Sequence, residues 1–468
     1  MSAVVCVDFG STWTKAALVE LDSGRLLATA SHPTTLPGPD GDGDVLDGYD
    51  ACVAALAQQD PRALDADVLA CSSAGGGLRI AVVGNEELVT AEAGRRVALS
   101  SGGKVVLVLH GGLDDTGLAE LRAAEPDVVL LVGGTDGGNA EVLEGDARFL
   151  AGLPWPGPVV VAGNVESQPV VADLLAGSGT PHVLADNVVP RIGVLAPDSA
   201  RRAIREIFLS HVIGGKHLSK RTDARGRTFT SMVRGATPDV VLTGVELLAR
   251  GLDDQHPGAG DVVVVDVGGA TTDVHSVVEL DPEDSGLARE VVALTPVTRT
   301  VEGDLGMRWS AVSTVEAAGR HDLHAAAVRR RARPDLLPEG SPDPAAEQDA
   351  DLDIAAAAVR IALERHAGRS RVVVSPEGRV VERSGKDLRE VDLLVGSGGV
   401  LRHGGPDAVR RVLAPATGDA FEGGWQLPRD PRVVVDHDYV LAAAGLLAQE
   451  HPVAAHRLLG GLTTMGDR

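Results

Sequence analysis

The chain has 468 residues, 44% hydrophobic and 23% charged, a balance too apolar for intrinsic disorder and long enough for two or three packed units. Its formal net charge of −23 argues against non-specific nucleic-acid binding, which draws its affinity from cations meeting phosphates. No apolar run approaches the roughly 20 residues of a membrane helix, and Asp8 stands where a signal peptide needs its apolar segment. Cys6, Cys52 and Cys71 lack the paired spacing of a metal site. A cytoplasmic protein with reduced core thiols is therefore expected, touching neither nucleic acid nor membrane.

In chain order, residues 3–8, 16–21 and 25–33 read as an antiparallel meander whose first turn is built from Gly, Ser and Thr. A Gly-, Asp- and Pro-rich loop follows, then a helix over 48–59 and strands over 68–72 and 78–83. From about residue 86 apolar runs at 105–111, 128–134, 158–164 and 181–186 alternate with helical segments near 114–124, 137–151 and 166–177. Such alternation predicts a parallel, doubly wound sheet. Residues 86–190 are accordingly expected to form a Rossmann- or flavodoxin-like insertion between 1–85 and 191–468. Helices are predicted over 198–213 and 238–250. Residues 260–280 repeat the opening design, and a helical, partly low-complexity region near 313–368 holds the acidic linker GSPDPAAEQDADLD. A hairpin, the strand and turn VDLLVGSGGVL at 391–401, and a helix over 439–449 close the pattern. The triplet Arg329, Arg330, Arg331 reads as a solvated helix face.

An aspartate ending a buried strand is costly unless its charge is compensated. In VVCVDFGSTWTK the aspartate Asp8 is followed by Gly10, Ser11 and Thr12, whose backbone N–H groups and hydroxyls make the type of surface that cradles phosphate. A hydrated divalent cation reconciles carboxylate with phosphate, with Lys15 a further phosphate contact. The same design returns 258 residues on as Asp266-Val-Gly-Gly-Ala-Thr-Thr-Asp273. One such turn is weak evidence because Asp before Gly is a common turn former; two, each between strands, point to a triphosphate.

These residues resemble the actin, hexokinase and Hsp70 ATPase superfamily. DFGSTWTK resembles its first phosphate motif, DVGGATTD its second and LLVGSGGVL its adenosine motif. TPDVVLTGVELLARG and VLAAAGLLAQ stand where the family has its two connecting helices. More closely, DFGSTWTKAALVELDSG, ACSSAGGGLRIAVVG, VVLLVGGTDGGN, VVDVGGATTDVHSV and TVEGDLGMR are similar to the GlmL or MutL family, accessory proteins encoded with the adenosylcobalamin-dependent glutamate (methylaspartate) mutase. The resemblance covers nearly the whole chain and is weakest from about 320 to 390.

The resemblance implies an α/β, actin-like (ribonuclease H-like) two-lobed ATPase fold with the insertion above. It also implies ATP and magnesium as cofactors, and mutase subunits as partners for a weak ATPase acting as reactivase or chaperone. By the same resemblance Asp8 and Asp266 hold magnesium, while Gly10, Ser11, Thr12, Gly268, Gly269, Thr271 and Thr272 clamp phosphates. Asp273 either polarises water or fixes its turn. Gly396, Ser397, Gly398 and Gly399 pass beneath the base and ribose, and Glu302, Gly303 and Asp304 line the adenosine side, with a helix N-cap the other reading of Asp304. Asp239 and Glu246 are the acids offered on the first connecting helix to orient the attacking water. The loop Gly133 to Asn139 is either a tight turn or a binding loop. A small-molecule kinase of the same fold is the alternative function.

Overall fold

In the computed structural model, which describes residues 2–38, 43–152, 155, 157–279, 294–334, 337–375, 378–418 and 424–464, the valine- and alanine-rich runs form three five-stranded sheets. The chain divides into two compact units. One holds residues to Gly244 and Ala442–Leu458; the other holds the described residues from Val245 to Leu441 and from Leu459 on.

The first sheet, in the first unit, runs Val233–Ala236, Asp67–Ser72, Ala3–Phe9, Trp13–Glu20, Leu26–Pro33. Its first three strands in sequence are an antiparallel meander, and the other two lie parallel to the first. The second sheet, in the second unit, runs Val297–Glu302, Thr272–Val277, Val262–Val267, Leu393–Ser397, Arg432–Val435 with the same directions. Numbered by sequence, each has the order 3-2-1-4-5 of the ribonuclease H-like, actin-like fold. The central strand of each is buried on both faces, which is why it reads as an unbroken valine run rather than an alternation. The third sheet belongs to the first unit. It is wholly parallel, in the order Gly103–His110, Leu78–Gly84, Val128–Leu131, Val159–Val161, His182–Leu184. That is the flavodoxin-like order 2-1-3-4-5.

Several expectations are corrected. Leu78–Gly84, grouped with the first lobe on sequence, is an inner strand of the third sheet, because its partners lie downstream. The stretch read as an acidic linker is, from Pro344 on, the start of a 23-residue helix, Pro344–His366, capped by Asp343, which accepts from the Ala346 N–H. Its alanines and leucines pack on the second sheet. Of the arginine triplet, only Arg329 and Arg331 are solvated. Arg330 is 1% exposed and pairs with Asp351 at 2.7 Å and Glu347 at 2.5 Å on that helix. The helix predicted over 198–213 is α-helical for Asp198–Ile207, passes through a π-turn, Phe208–Val212, and resumes as Ile213–Gly215. Cys6, Cys52 and Cys71 are buried free thiols, as expected.

Candidate functional site

The two aspartate turns are built alike. In each, the N–H two residues after the aspartate donates to the carbonyl three further on: Gly10 to Trp13 at 3.1 Å, Gly268 to Thr271 at 2.9 Å. Gly10 is required, since a Cβ there would lie 2.5 Å from the Trp13 oxygen. The turns also share how they are braced. In the first, Thr34 donates its N–H to the Thr12 carbonyl at 2.9 Å and its hydroxyl to the Gly10 carbonyl at 2.9 Å. In the second, a strap from Glu302 to Ser310 takes the carbonyls. Met307 N–H reaches Gly268, Arg308 N–H reaches Gly269, and the Ser310 hydroxyl reaches Ala270 at 2.6 Å. Gly306 lets the strap in, because a Cβ there would stand 2.7 Å from the Gly269 oxygen.

With the carbonyls held back, the N–H groups of Ser11 and Thr12, and of Gly269, Ala270 and Thr271, have no acceptor among the described residues. Adjacent unsatisfied amides are an anion cradle. Each cradle lies beside a carboxylate. Asp8 receives the Thr237 hydroxyl on Oδ1 at 2.6 Å, with Lys15 Nζ 3.7 Å from Oδ2. Asp266 pairs in register with Ser397. Gly398, at φ +104°, follows so closely that a Cβ would be 2.2 Å from the Val267 oxygen and 3.2 Å from Asp266 Oδ1.

The remaining candidates separate. Thr272 is fully buried and donates to the Leu305 carbonyl at 3.0 Å, so its hydroxyl anchors the strap instead of facing the cradle. Asp273 is held by buried Arg299 at 2.6 Å, which favours the turn-fixing reading. Asp304 caps no helix, as the nearest begins at Ala311. Together with Glu302 it is neutralised by Arg365, at 2.6 and 2.7 Å, and that guanidinium holds the Asp304 carboxyl below its ordinary pKa. Gly303 is open. Gly396 sits inside its strand, where a Cβ would meet Leu401 at 2.8 Å, so packing explains it. Ser397 is buried and Gly399 opens a short helix, Gly399–Arg402.

On the first connecting helix, Thr237–Arg250, Asp239 is 2% exposed and locked to Arg205 at 2.6 Å; Glu246 lies 3.9 Å from Arg250. The residue of this helix that reaches Asp8 is Thr237, which sequence reasoning missed. Its signal is position: it begins a helix directly after Val233–Ala236, a strand parallel to the one beside Asp8. Thr34 and Ser310 were also missed, since they act on backbone atoms far away in sequence.

Paired 3-2-1-4-5 sheets, each ending its first strand in aspartate and a glycine turn, define an actin-like α/β protein. The family model described as MutL protein matches residues 4–461. The chain is 34% identical to Protein MutL of Clostridium tetanomorphum over 98% of each chain. The protein belongs to the MutL protein family. Solved structures that align with it include nucleotide-free acetone carboxylase (14% identity, 96% of this chain and 70% of that one, TM-score 0.39). A carbohydrate kinase from Novosphingobium aromaticivorans also aligns (14% identity, 99% and 100%, TM-score 0.30). No helix among the described residues is long and apolar enough to cross a membrane.

Proposed function

We propose that this protein binds magnesium ATP through the two glycine turns, hydrolyses it slowly, and uses the nucleotide state to reactivate or chaperone an adenosylcobalamin-dependent mutase of the glutamate mutase or ornithine aminomutase type. The observation that carries ATP binding is the shared bracing, carbonyls drawn back and amides left forward, in two turns that each follow a strand-ending carboxylate. The amides meet phosphate oxygens, and Lys15 can leave Asp8 for a phosphate.

Asp8 and Asp266 fit magnesium, which keeps most of its water and takes one or two carboxylates with the phosphates. Among the described residues no cluster of three or more His, Cys, Asp or Glu would hold a metal unaided; the magnesium proposed here comes with the nucleotide. When bound it neutralises phosphate charge. Thr237 fixes one oxygen of Asp8, so the carboxylate keeps its orientation.

The slow turnover rests on the two acids of the first connecting helix, Asp239 and Glu246, the second of which lies beside Arg250 at 3.9 Å. A kinase or fast ATPase needs a free acid to orient the attacking group, and the Asp239 carboxylate is committed to Arg205. A switch that biases conformation needs few turnovers. The mutase client is drawn from the family resemblance. To test it, purified protein, magnesium ATP and an inactivated adenosylcobalamin mutase are mixed, and mutase activity is followed with wild type and Asp8→Ala. Recovery should require the wild-type protein; equal recovery without it rejects the reactivase, and ATP consumption that rises with a small metabolite instead favours the kinase.

A further inference from the structure

We infer that the carboxyl edge of the flavodoxin-like sheet is a docking surface for a protein partner that presents apolar side chains ringed by lysine and arginine. The inference rests on the client reading above and assigns that client a surface.

Because the five strands are parallel, the loops after them all emerge at one edge, where open α/β sheets make their contacts. These loops are tied together. The Gly111 N–H donates to the Asn85 carbonyl at 2.8 Å, and the Asn164 N–H to the Gly133 carbonyl at 2.9 Å. Asp136 N–H donates to the Pro190 carbonyl at 3.1 Å. Asp136 Oδ1 accepts from the Val165 N–H at 3.2 Å and from Asn187 Nδ2 at 2.8 Å. The loop from Gly133 to Asn139 is thus the knot of the rim. Gly134 and Gly137 stand at φ +67° and +70°, the left-handed region that favours glycine.

The stitched rim holds large apolar side chains in water. Ile192 is 78% exposed and Leu88 67%, with Val165 and Val194 also exposed. Leu88 is lifted on a π-turn, Glu87–Ala91, a distortion that recurs at functional positions. The loops bearing Leu88 and Ile192 follow strands three places apart, about 15 Å at the usual strand spacing. Exposed apolar residues gathered on a rigid edge mark an interaction site, and a rigid one loses little freedom on binding.

Charge selects the occupant. The rim loops expose Glu86, Glu87, Asp114, Asp136, Glu166 and Asp186 against the single arginine Arg191. A partner with a basic surround is steered toward this rim, and a second copy of so acidic a surface is repelled.

The test titrates the full-length protein against the purified mutase by calorimetry, with ATP binding and the unfolding midpoint measured for every variant. Leu88→Asp and Ile192→Asp are each expected to weaken mutase binding about tenfold or more, leaving ATP affinity and unfolding midpoint unchanged. Glu87→Lys should weaken it less, and raising salt from about 50 to about 300 mM should weaken the wild type. Wild-type affinity in both apolar variants overturns the proposal, as does sedimentation showing a dimer that Ile192→Asp dissolves. If the wild type binds no mutase, the client reading fails and takes this proposal with it.

Discussion

Asp146 lies on the helix Glu141–Ala151 beside the third sheet and is 2% exposed. One oxygen accepts the Leu113 N–H at 2.6 Å, and the other has no hydrogen-bond partner among the described residues. Burial raises its pKa from 3.8 to about 6, with the Leu113 N–H pulling the other way. Ionising this carboxyl in the folded protein therefore costs ~3 kcal/mol more than in the unfolded chain. The sign is that of a raised acid: the protonated group's contribution is complete below pH 3.8 and is lost as pH climbs through about 6. Asp146→Asn keeps an acceptor for Leu113 and removes the charge, but brings an amide that lacks an acceptor, which returns roughly 1–2 kcal/mol. The variant should be more stable than wild type by about 1–2 kcal/mol at pH 8 and no more stable at pH 4. Urea unfolding at the two pH values reads the difference as a shift in midpoint. An Asn variant destabilised equally at both would refute the reasoning, because it would mean that the buried carboxylate carries no penalty for its charge.

At the first turn, Thr237→Ala takes the 2.6 Å donor from Asp8 and should lower magnesium-ATP affinity by up to about tenfold in calorimetry, with Thr237→Ser restoring it. Gly398→Ala forces a left-handed φ on a residue with a side chain and drives its Cβ to 2.2 Å from a backbone oxygen. A loss of roughly 2–4 kcal/mol is expected in urea unfolding, whereas Gly399→Ala, with open space around it, should be near neutral. Trp309 is 51% exposed and packs on Gly269 of the second turn. Magnesium ATP should therefore change tryptophan fluorescence, and Trp309→Phe should remove part of that change, with Trp13 of the first turn, 47% exposed, supplying the rest.

The strands were legible because valine runs beside turn residues have few other uses: the meander, the second hairpin and the four later parallel strands all lie where periodicity put them. Val233–Ala236 was not, since V-R-G-A has no apolar alternation and becomes a strand only by pairing with Asp67–Ser72. Composition hid the start of Pro344–His366, although its Asp cap and Pro at the first helical position are ordinary start signals. Arg330 looked solvated because its neighbours are; its partner Asp351 stands 21 positions on, on a different helix. At the site, the aspartates and glycines were visible because their chemistry is intrinsic to residue type. The bracing was not, because Thr34 and the Glu302 to Ser310 strap act through backbone carbonyls, and any residue supplies those.

The two hairpins share one frame and differ in chemistry at one equivalent position. Asp8 stands across from Lys15, and Asp266 across from Asp273. Lys15 is partly exposed and 3.7 Å from its carboxylate, a long-armed pair that solvent weakens. Asp273 is clasped at 2.6 Å by a guanidinium 5% exposed, and breaking such a pair leaves an uncompensated buried charge. The first turn is thus the adaptable partner and the second the fixed one, braced further by Arg308, whose N–H holds Gly269 while its side chain is clamped by Asp351. On the function proposed, magnesium ATP should change amide hydrogen exchange more around Asp8, Lys15 and Thr237 than in the strap around Gly268 to Thr271.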